Sequence, residues 1–343
     1  MKQQSKVVKL LKSAAATVAL PLIVWAIMEV IAQIFTGSHV ISSALDIRNL
    51  IRSAGISSAI AFALSMNITS GRMDLSLGAQ RVAATILGGV VAESLGLGGI
   101  WVLIFALIFG TVLGAVVGVL YVTLRIPPMV LGIGMACIYE CFGFAATDGV
   151  GLRLVGTEGV ALLSNMNFTI AVVLVILVSM LVLMTYTKFS YKFRAVRGSQ
   201  QIARNSGINI FVNVALCYTV AGLVVAASGV LDAAFAGSMG ASMGLTSNGS
   251  VMANMFPMMI GCNFLSRYVN QSIGIVSAAV AVRIMTMGLN CFNMTEAMSN
   301  SINMFLFIAF LVWQANSWRL QRARDDKKRI AEARAFKAAR AAV

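Results

Sequence analysis

The sequence predicts an all-α fold, a polytopic membrane bundle of about ten transmembrane helices with both termini cytoplasmic, and three observations carry that prediction. Of the 343 residues, 59% are hydrophobic and only 11% are charged, where a soluble domain carries roughly 25% charged residues. Apolar runs recur at lengths close to the roughly 20 residues a helix needs to cross a bilayer. The net charge of +14 is gathered in three places. Lys2, Lys6, Lys9 and Lys12 open the chain, Lys188, Lys192, Arg194, Arg197 and Arg204 fill one internal segment, and nine Lys and Arg residues follow Trp318. Such clustering is the positive-inside signature. It excludes a nucleic-acid partner as the reading of the charge and leaves membrane lipid as the surface in contact.

In chain order, a basic cytoplasmic tail (1–12) precedes a first span at 13–35 that carries Pro21 and Glu29. That run is too long for a signal-peptide core and shows no cleavage site, so it reads as retained. The polar segment 36–52 holds the only histidine, His39. Spans follow at 53–70, 74–95, 100–124 and 129–146, then a glycine-rich polar loop at 147–167 and a sixth span at 168–186. The basic segment 188–209 comes next. Spans at 211–231, 245–262, 271–290 and 301–313 complete a transmembrane domain over 13–316, and a basic cytoplasmic tail occupies 317–343. An even number of spans puts both tails and the 188–209 segment on the same, inner side. Six spans precede that segment and four follow it; taken as two groups of about five, the second half would be inverted relative to the first, an arrangement transporters use, although the halves show no sequence repeat.

Gly110, Gly114 and Gly118 form a small-xxx-small series, the spacing that lets helix backbones approach in lipid. It reads as packing within the bundle or, alternatively, at a subunit interface. Cys137, Cys141, Cys217, Cys262 and Cys291 show no disulfide or zinc spacing and read as small apolar packing residues. No Gly-x-x-x-x-Gly-Lys-Ser/Thr phosphate loop is present, so the chain has no ATP site of that type. No nucleophile–base pair appears either. The expectation is a membrane protein that is not an enzyme and binds no cofactor or metal itself.

The polar interruption between spans two and three reads Ser70-Gly71-Arg72-Met73-Asp74-Leu75-Ser76-Leu77-Gly78. An acid in a membrane segment is costly, so Asp74 is expected to be partnered, capped or wet. It is either the N-cap or first-turn acid of span three, or part of a broken helix whose polar turn lines a path. This motif resembles the Ser-Gly-x-x-Asp-Leu-Ser-x-Gly signature of the ribose-type permeases of bacterial ABC importers. The run 198–209 resembles that family's cytoplasmic coupling segment and ends in Ser206-Gly207-Ile208-Asn209. A small-residue stretch, Ala221-Gly222-Leu223 and 226–229, follows where the family has a small-residue helix. Where the family has an acid and alanines in the coupling segment, this chain has Gln200, Gln201 and Ile202.

The resemblance implies a multi-pass protein of the bacterial inner membrane. It implies as partners a cytoplasmic ABC ATPase using ATP and Mg, an extracytoplasmic solute-binding protein and a second permease subunit. The solute would be a sugar or similar small polar molecule. On it, Ser70, Gly71, Asp74 and Ser76 are substrate-path candidates, joined by Arg283 inside span nine. Gly198, Gln200, Arg204, Ser206 and Gly207 are the ATPase-coupling candidates. Arg283 reads equally as a structural pair. Glu93 and Glu140, near span ends, are expected to reach the interface, and Arg81 to contact Asp74 only through a bridge. Two other readings remain at this point: an ion-coupled secondary transporter using Asp74, Glu140 or Arg283, and a non-transporting partner in a permease heterodimer.

Overall fold

The computed structural model describes residues 6–156 and 159–341. Residues 1–5 of the expected N-terminal tail, Thr157 and Glu158 of the glycine-rich loop, and residues 342–343 of the expected C-terminal tail lie outside the described residues. The chain divides into a unit ending at Asn293 and a second unit beginning at Met294.

The first unit is a helical bundle. Helix α1 (Lys6–Thr36) contains Pro21. Proline has no N–H to give to the carbonyl four residues back, and that carbonyl, Thr17 O, instead accepts from the Ser277 hydroxyl at 2.6 Å. A carbonyl freed inside an apolar medium needs such a partner. Glu29 of the same helix accepts from Val40 N at 3.0 Å and lies 2.6 Å from His39 Nδ1, which accounts for the acid in the first span. Helix α2 (Ala44–Ile68) starts with a capping box between Ser43 and Asp46. Helix α3 (Leu77–Ser94) follows a non-helical turn. Helix α4 (Ile100–Leu124) stops at Arg125, which takes the left-handed conformation (φ 55°) ahead of Pro127 and Pro128. Helix α5 (Pro128–Ala145) begins on the second of these prolines, where the missing N–H costs nothing.

A short helix α6 (Val160–Ser164) leads into α7 (Met166–Tyr186). The expected glycine-rich loop also carries strand β1 (Leu152–Arg153), which pairs antiparallel with β2 (Ser238–Met239) after the long helix α10 (Ile210–Ala236). Between α7 and α10 the basic segment forms α8 (Lys188–Gly198) and α9 (Gln200–Asn205). Helix α13 (Gln271–Asn290) closes the unit and packs along α1 and α2.

The expected span at 245–262 is not one helix. It divides into α11 (Asn248–Met252), α12 (Met255–Met259), a π-helical turn (Ile260–Phe264) and a 3₁₀ turn (Leu265–Arg267). Pro257 cannot donate to Ala253, as a continuous helix would require. Broken helices are tolerated at membrane depth where protein surrounds them, and Val251, Met258 and Cys262 are all buried. Among the described residues, eight helices are long and apolar enough to span a membrane. Helix α3, which carries Gln80 and Arg81, is not one of them, and it is buried along most of its length.

The most extensive helix pair is α4 with α10. The Gly110, Gly114 and Gly118 series packs inside the bundle, against Tyr218, Gly222 and Ala226 of α10. A Cβ at Gly222 would lie 2.3 Å from Gly110 O, so the two backbones touch.

The second unit is the single helix α14 (Glu296–Ala341), apolar over Ala297–Ser317 and continuing as helix through most of the expected C-terminal tail.

Candidate functional site: a broken helix, a buried polar network and the coupling segment

Helix α2 ends at Ile68 and closes through the turn Thr69-Ser70-Gly71. Gly71 is left-handed (φ 73°), Gly71 N donates to Ile68 O at 3.0 Å and Arg72 N reaches back to Asn67 O at 3.0 Å. This is the glycine-terminated close that satisfies the last carbonyls of a helix. The next five residues do not re-form a helix. Asp74 Oδ1 accepts from Ser76 N at 2.9 Å and from Ser76 Oγ at 2.6 Å, and Gln80 Nε2 donates to Ser76 Oγ at 2.7 Å. Asp74, Ser76 and Gln80 are all fully buried. The N-cap of α3 is Ser76, so Asp74 is not the N-cap acid: it lies upstream and fixes the turn through Ser76. The segment can lie inside the bundle because Gly132 of α5 leaves room for it, a Cβ there falling 2.7 Å from Leu75 N.

Helix α3 enters partway along its neighbours. The space beside Gly222, in the middle of α10, is filled by Gln80, and that beside Gly229 by Thr85 and the Arg81 carbonyl. The sequence motif is therefore a break that re-aims the chain.

Arg81 does not contact Asp74. It forms an ion pair with Asp232 of α10 and donates to Ser250 Oγ at 3.2 Å. Ser250 links the pair to the broken eighth span: its hydroxyl donates to Ser247 O at 3.3 Å, and Asn254 Nδ2 donates to its carbonyl at 2.8 Å. Ser57 of α2 closes this branch by donating to Asn254 Oδ1 at 2.5 Å. At the other end stands Glu140 of α5, which is buried and does not reach an interface. Its Oε2 accepts from Leu245 N at 2.8 Å, and its Oε1 accepts from Ser247 N at 3.1 Å and Ser247 Oγ at 2.5 Å. A carboxylate holding two backbone N–H groups carries the non-helical stretch into α11. Glu93, by contrast, is exposed as expected.

The result is one connected network across α2, α3, α5, α10 and α11. It is largely buried and comes to the surface at Asp232, whose side chain is 51% exposed, and at the neighbouring Ser250, also exposed. Next to it, the Arg52 guanidinium lies over the Phe235 ring at 3.0 Å, a cation–π contact that places a second cation at this mouth. Sequence reasoning did not single out Asp232, Gln80, Ser250 or Asn254. Only Asp232 left a signal, as an acid at the end of an apolar run. Arg283 lies half-buried on α13.

The basic 188–209 segment is two helices separated by Ser199, the N-cap of α9. Its Ser206-Gly207-Ile208-Asn209 ending has a local cause. Gly207 is left-handed (φ 77°), Ile208 N bonds Ala203 O at 3.1 Å, and Asn209 caps α10 through Val212 N at 3.2 Å. One helix stops and the next starts within four residues. Phe193, Val196 and Ala203 anchor α8 and α9 to the bundle. Of the basic residues, Arg194 bonds Met184 O at 2.9 Å and Arg197 bonds Gln271 Oε1 at 2.9 Å. Lys188, Lys192 and Arg204 face outward, as do Gln200, Gln201 and Ile202.

Polar-bonded helix breaks inside a polytopic helical bundle are a feature that many membrane transporters share. The family described as "Branched-chain amino acid transport system / permease component" matches residues 47–311, and the chain belongs to that family. It is a multi-pass membrane protein of the bacterial inner-membrane type. It is 29% identical over 195 residues to the ribose import permease protein RbsC of Bacillus subtilis (strain 168). That match covers 54% of this chain and 60% of the relative. No solved structure matches.

Proposed function

We propose that this chain is the membrane-spanning permease subunit of an ATP-driven ABC importer and moves a sugar or similar small polar solute by alternating access. The observation that carries the reading is the pairing of two features in one permease-family chain. One is a buried polar network opening to water at Asp232; the other is a separate pair of short helices, α8 and α9, with outward polar and apolar side chains. The likeness to a ribose import permease supports a sugar as solute.

In this reading α8 and α9 sit on the cytoplasmic side against an ABC ATPase, which binds and hydrolyses ATP with Mg. A secreted binding protein delivers the solute at the opposite face, and a second permease subunit completes the pathway. Ile202, 69% exposed, is the apolar anchor of that contact, and Gln200, Arg204 and Lys192 form its polar rim. Movement of α9 passes to α10 through the tight link at Gly207 and Asn209, and α10 carries Asp232, the partner of Arg81. Solute hydroxyls would exchange hydrogen bonds with Asp232, Arg81 and Ser250 as that pair opens. Ion coupling through Glu140 draws less support, because both of its oxygens are occupied by protein donors.

Co-expression of the chain with a candidate ATPase tests the proposal. The ATPase is expected to co-purify with it. Ile202→Glu and Gly207→Val are expected to remove most of the ATPase stimulation at unchanged membrane yield. Stimulation that survives both substitutions contradicts the assigned contact.

A further inference from the structure

Arg72 is 2% exposed, and none of its three guanidinium nitrogens has a hydrogen-bond partner among the described residues. Arginine does not give up its proton in proteins, and a buried, unpaired charge carries a large desolvation penalty. The nearby acid does not answer it: Asp74 Oδ1 accepts from Ser76, and Arg72 forms no ion pair or hydrogen bond among the described residues. Arg72 lines a cavity of about 280 Å³ where the end of α4, the start of α10 and the start of α9 meet. Its polar lining is Arg72, Arg125, Gln200 and Tyr121, and none of its described lining residues is acidic. Val122, Ile126, Ile210 and Val214 form the rest of the wall.

Two guanidinium groups with amide and phenol donors define an anion site, and the planar fork of arginine suits phosphate oxygens. The apolar wall distinguishes the occupant. A free anion has no use for Val122 and Ile126, whereas a molecule carrying both a phosphate and hydrocarbon does. Helix α4 meets the cavity just where its membrane-spanning run ends at Leu124. We propose that this cavity binds the phosphate of an anionic phospholipid headgroup, with Arg72 and Arg125 on the phosphate and the glycerol region along Val122, Ile126 and Val214. The bound lipid would touch both Arg72, at the break after α2, and Gln200, at the first turn of the coupling pair. It would thereby make the rigidity of that junction dependent on membrane charge, whatever solute the protein carries.

The test is thermal unfolding of the purified full-length chain in detergent, titrated separately with dioctanoyl phosphatidylglycerol, dioctanoyl phosphatidylcholine and sodium phosphate. A saturable rise in Tm is expected with phosphatidylglycerol only. Arg72→Gln and Arg125→Gln are each expected to weaken its apparent affinity by about tenfold or more, the cost of losing a charge-assisted partner. Arg72→Lys should retain part of it. Arg125 is exposed, so Arg125→Gln keeps the test valid if Arg72→Gln does not fold. Equal stabilisation by phosphatidylcholine, or a full shift from sodium phosphate, overturns the lipid assignment. So does an unchanged phosphatidylglycerol affinity in both variants, including the case where they weaken only ATPase binding.

Discussion

Gly222→Ala is expected to abolish the monodisperse folded protein, although it adds a single methyl group. The added Cβ would sit 2.3 Å from Gly110 O, 2.9 Å from Gln80 Oε1 and 3.0 Å from Gly114 Cα. Two of those atoms are backbone, so no rotamer change relieves the clash, and separating α4 from α10 breaks the most extensive helix contact in the bundle. Overpacking a tight site costs about 1–3 kcal/mol where side chains can yield; here the cost lies at or above that upper end. In membranes, packing of this kind is what holds helices together. Gly134→Ala is the control, because a Cβ there meets nothing within 4 Å, and it should leave Tm unchanged or slightly raised. Size-exclusion profiles and Tm of the two variants check the expectation.

Glu140→Ala is expected to loosen the broken eighth span without dissolving the bundle. It strands the N–H groups of Leu245 and Ser247, both held by Glu140. Each unsatisfied buried donor costs roughly 1–3 kcal/mol, so about 2–6 kcal/mol is at stake for the pair. Glu140→Gln keeps one acceptor oxygen and should lie between alanine and wild type. Amide hydrogen exchange resolves the effect. Protection at residues 243–250 should fall sharply in Glu140→Ala, while residues 110–118, in the α4–α10 contact, stay protected. A uniform loss across both regions would contradict the local role assigned to Glu140.

The fold class was readable in the sequence because bilayer crossing imposes length and polarity rules that composition alone expresses. Seven of the eight apolar helices fall where expected, and the small-residue series in α4 packs as its spacing suggests. The eighth, Ala44–Ile68, begins nine residues earlier than the expected 53, because Arg48 and Arg52 masked its start. The span at 245–262 was misread because hydropathy records that a segment is buried, not whether it is helical. Asn248, Asn254 and Pro257 were the local signals of a break. The Ser-Gly pairs at Ser70-Gly71 and Ser206-Gly207 were legible as punctuation, since only a left-handed residue closes a helix in that way. The pairing of Arg81 with Asp232 and of Glu140 with Leu245 and Ser247 was not legible. These contacts span more than a hundred residues and depend on where α3 starts relative to α10. Arg72 was hidden as well: its place in the polar 70–78 motif does not reveal that it lies buried beside a cavity.

In the proposed function, solute movement through this chain is driven by ATP and transmitted through α8 and α9. The most direct measurement is uptake of radiolabelled sugar into proteoliposomes containing the chain and its ATPase, with the binding protein outside and ATP inside. Uptake is expected to require internal ATP, to persist when proton and sodium gradients are collapsed, and to fall to background in Ile202→Glu. Uptake driven by a proton or sodium gradient in liposomes lacking the ATPase and ATP would contradict it.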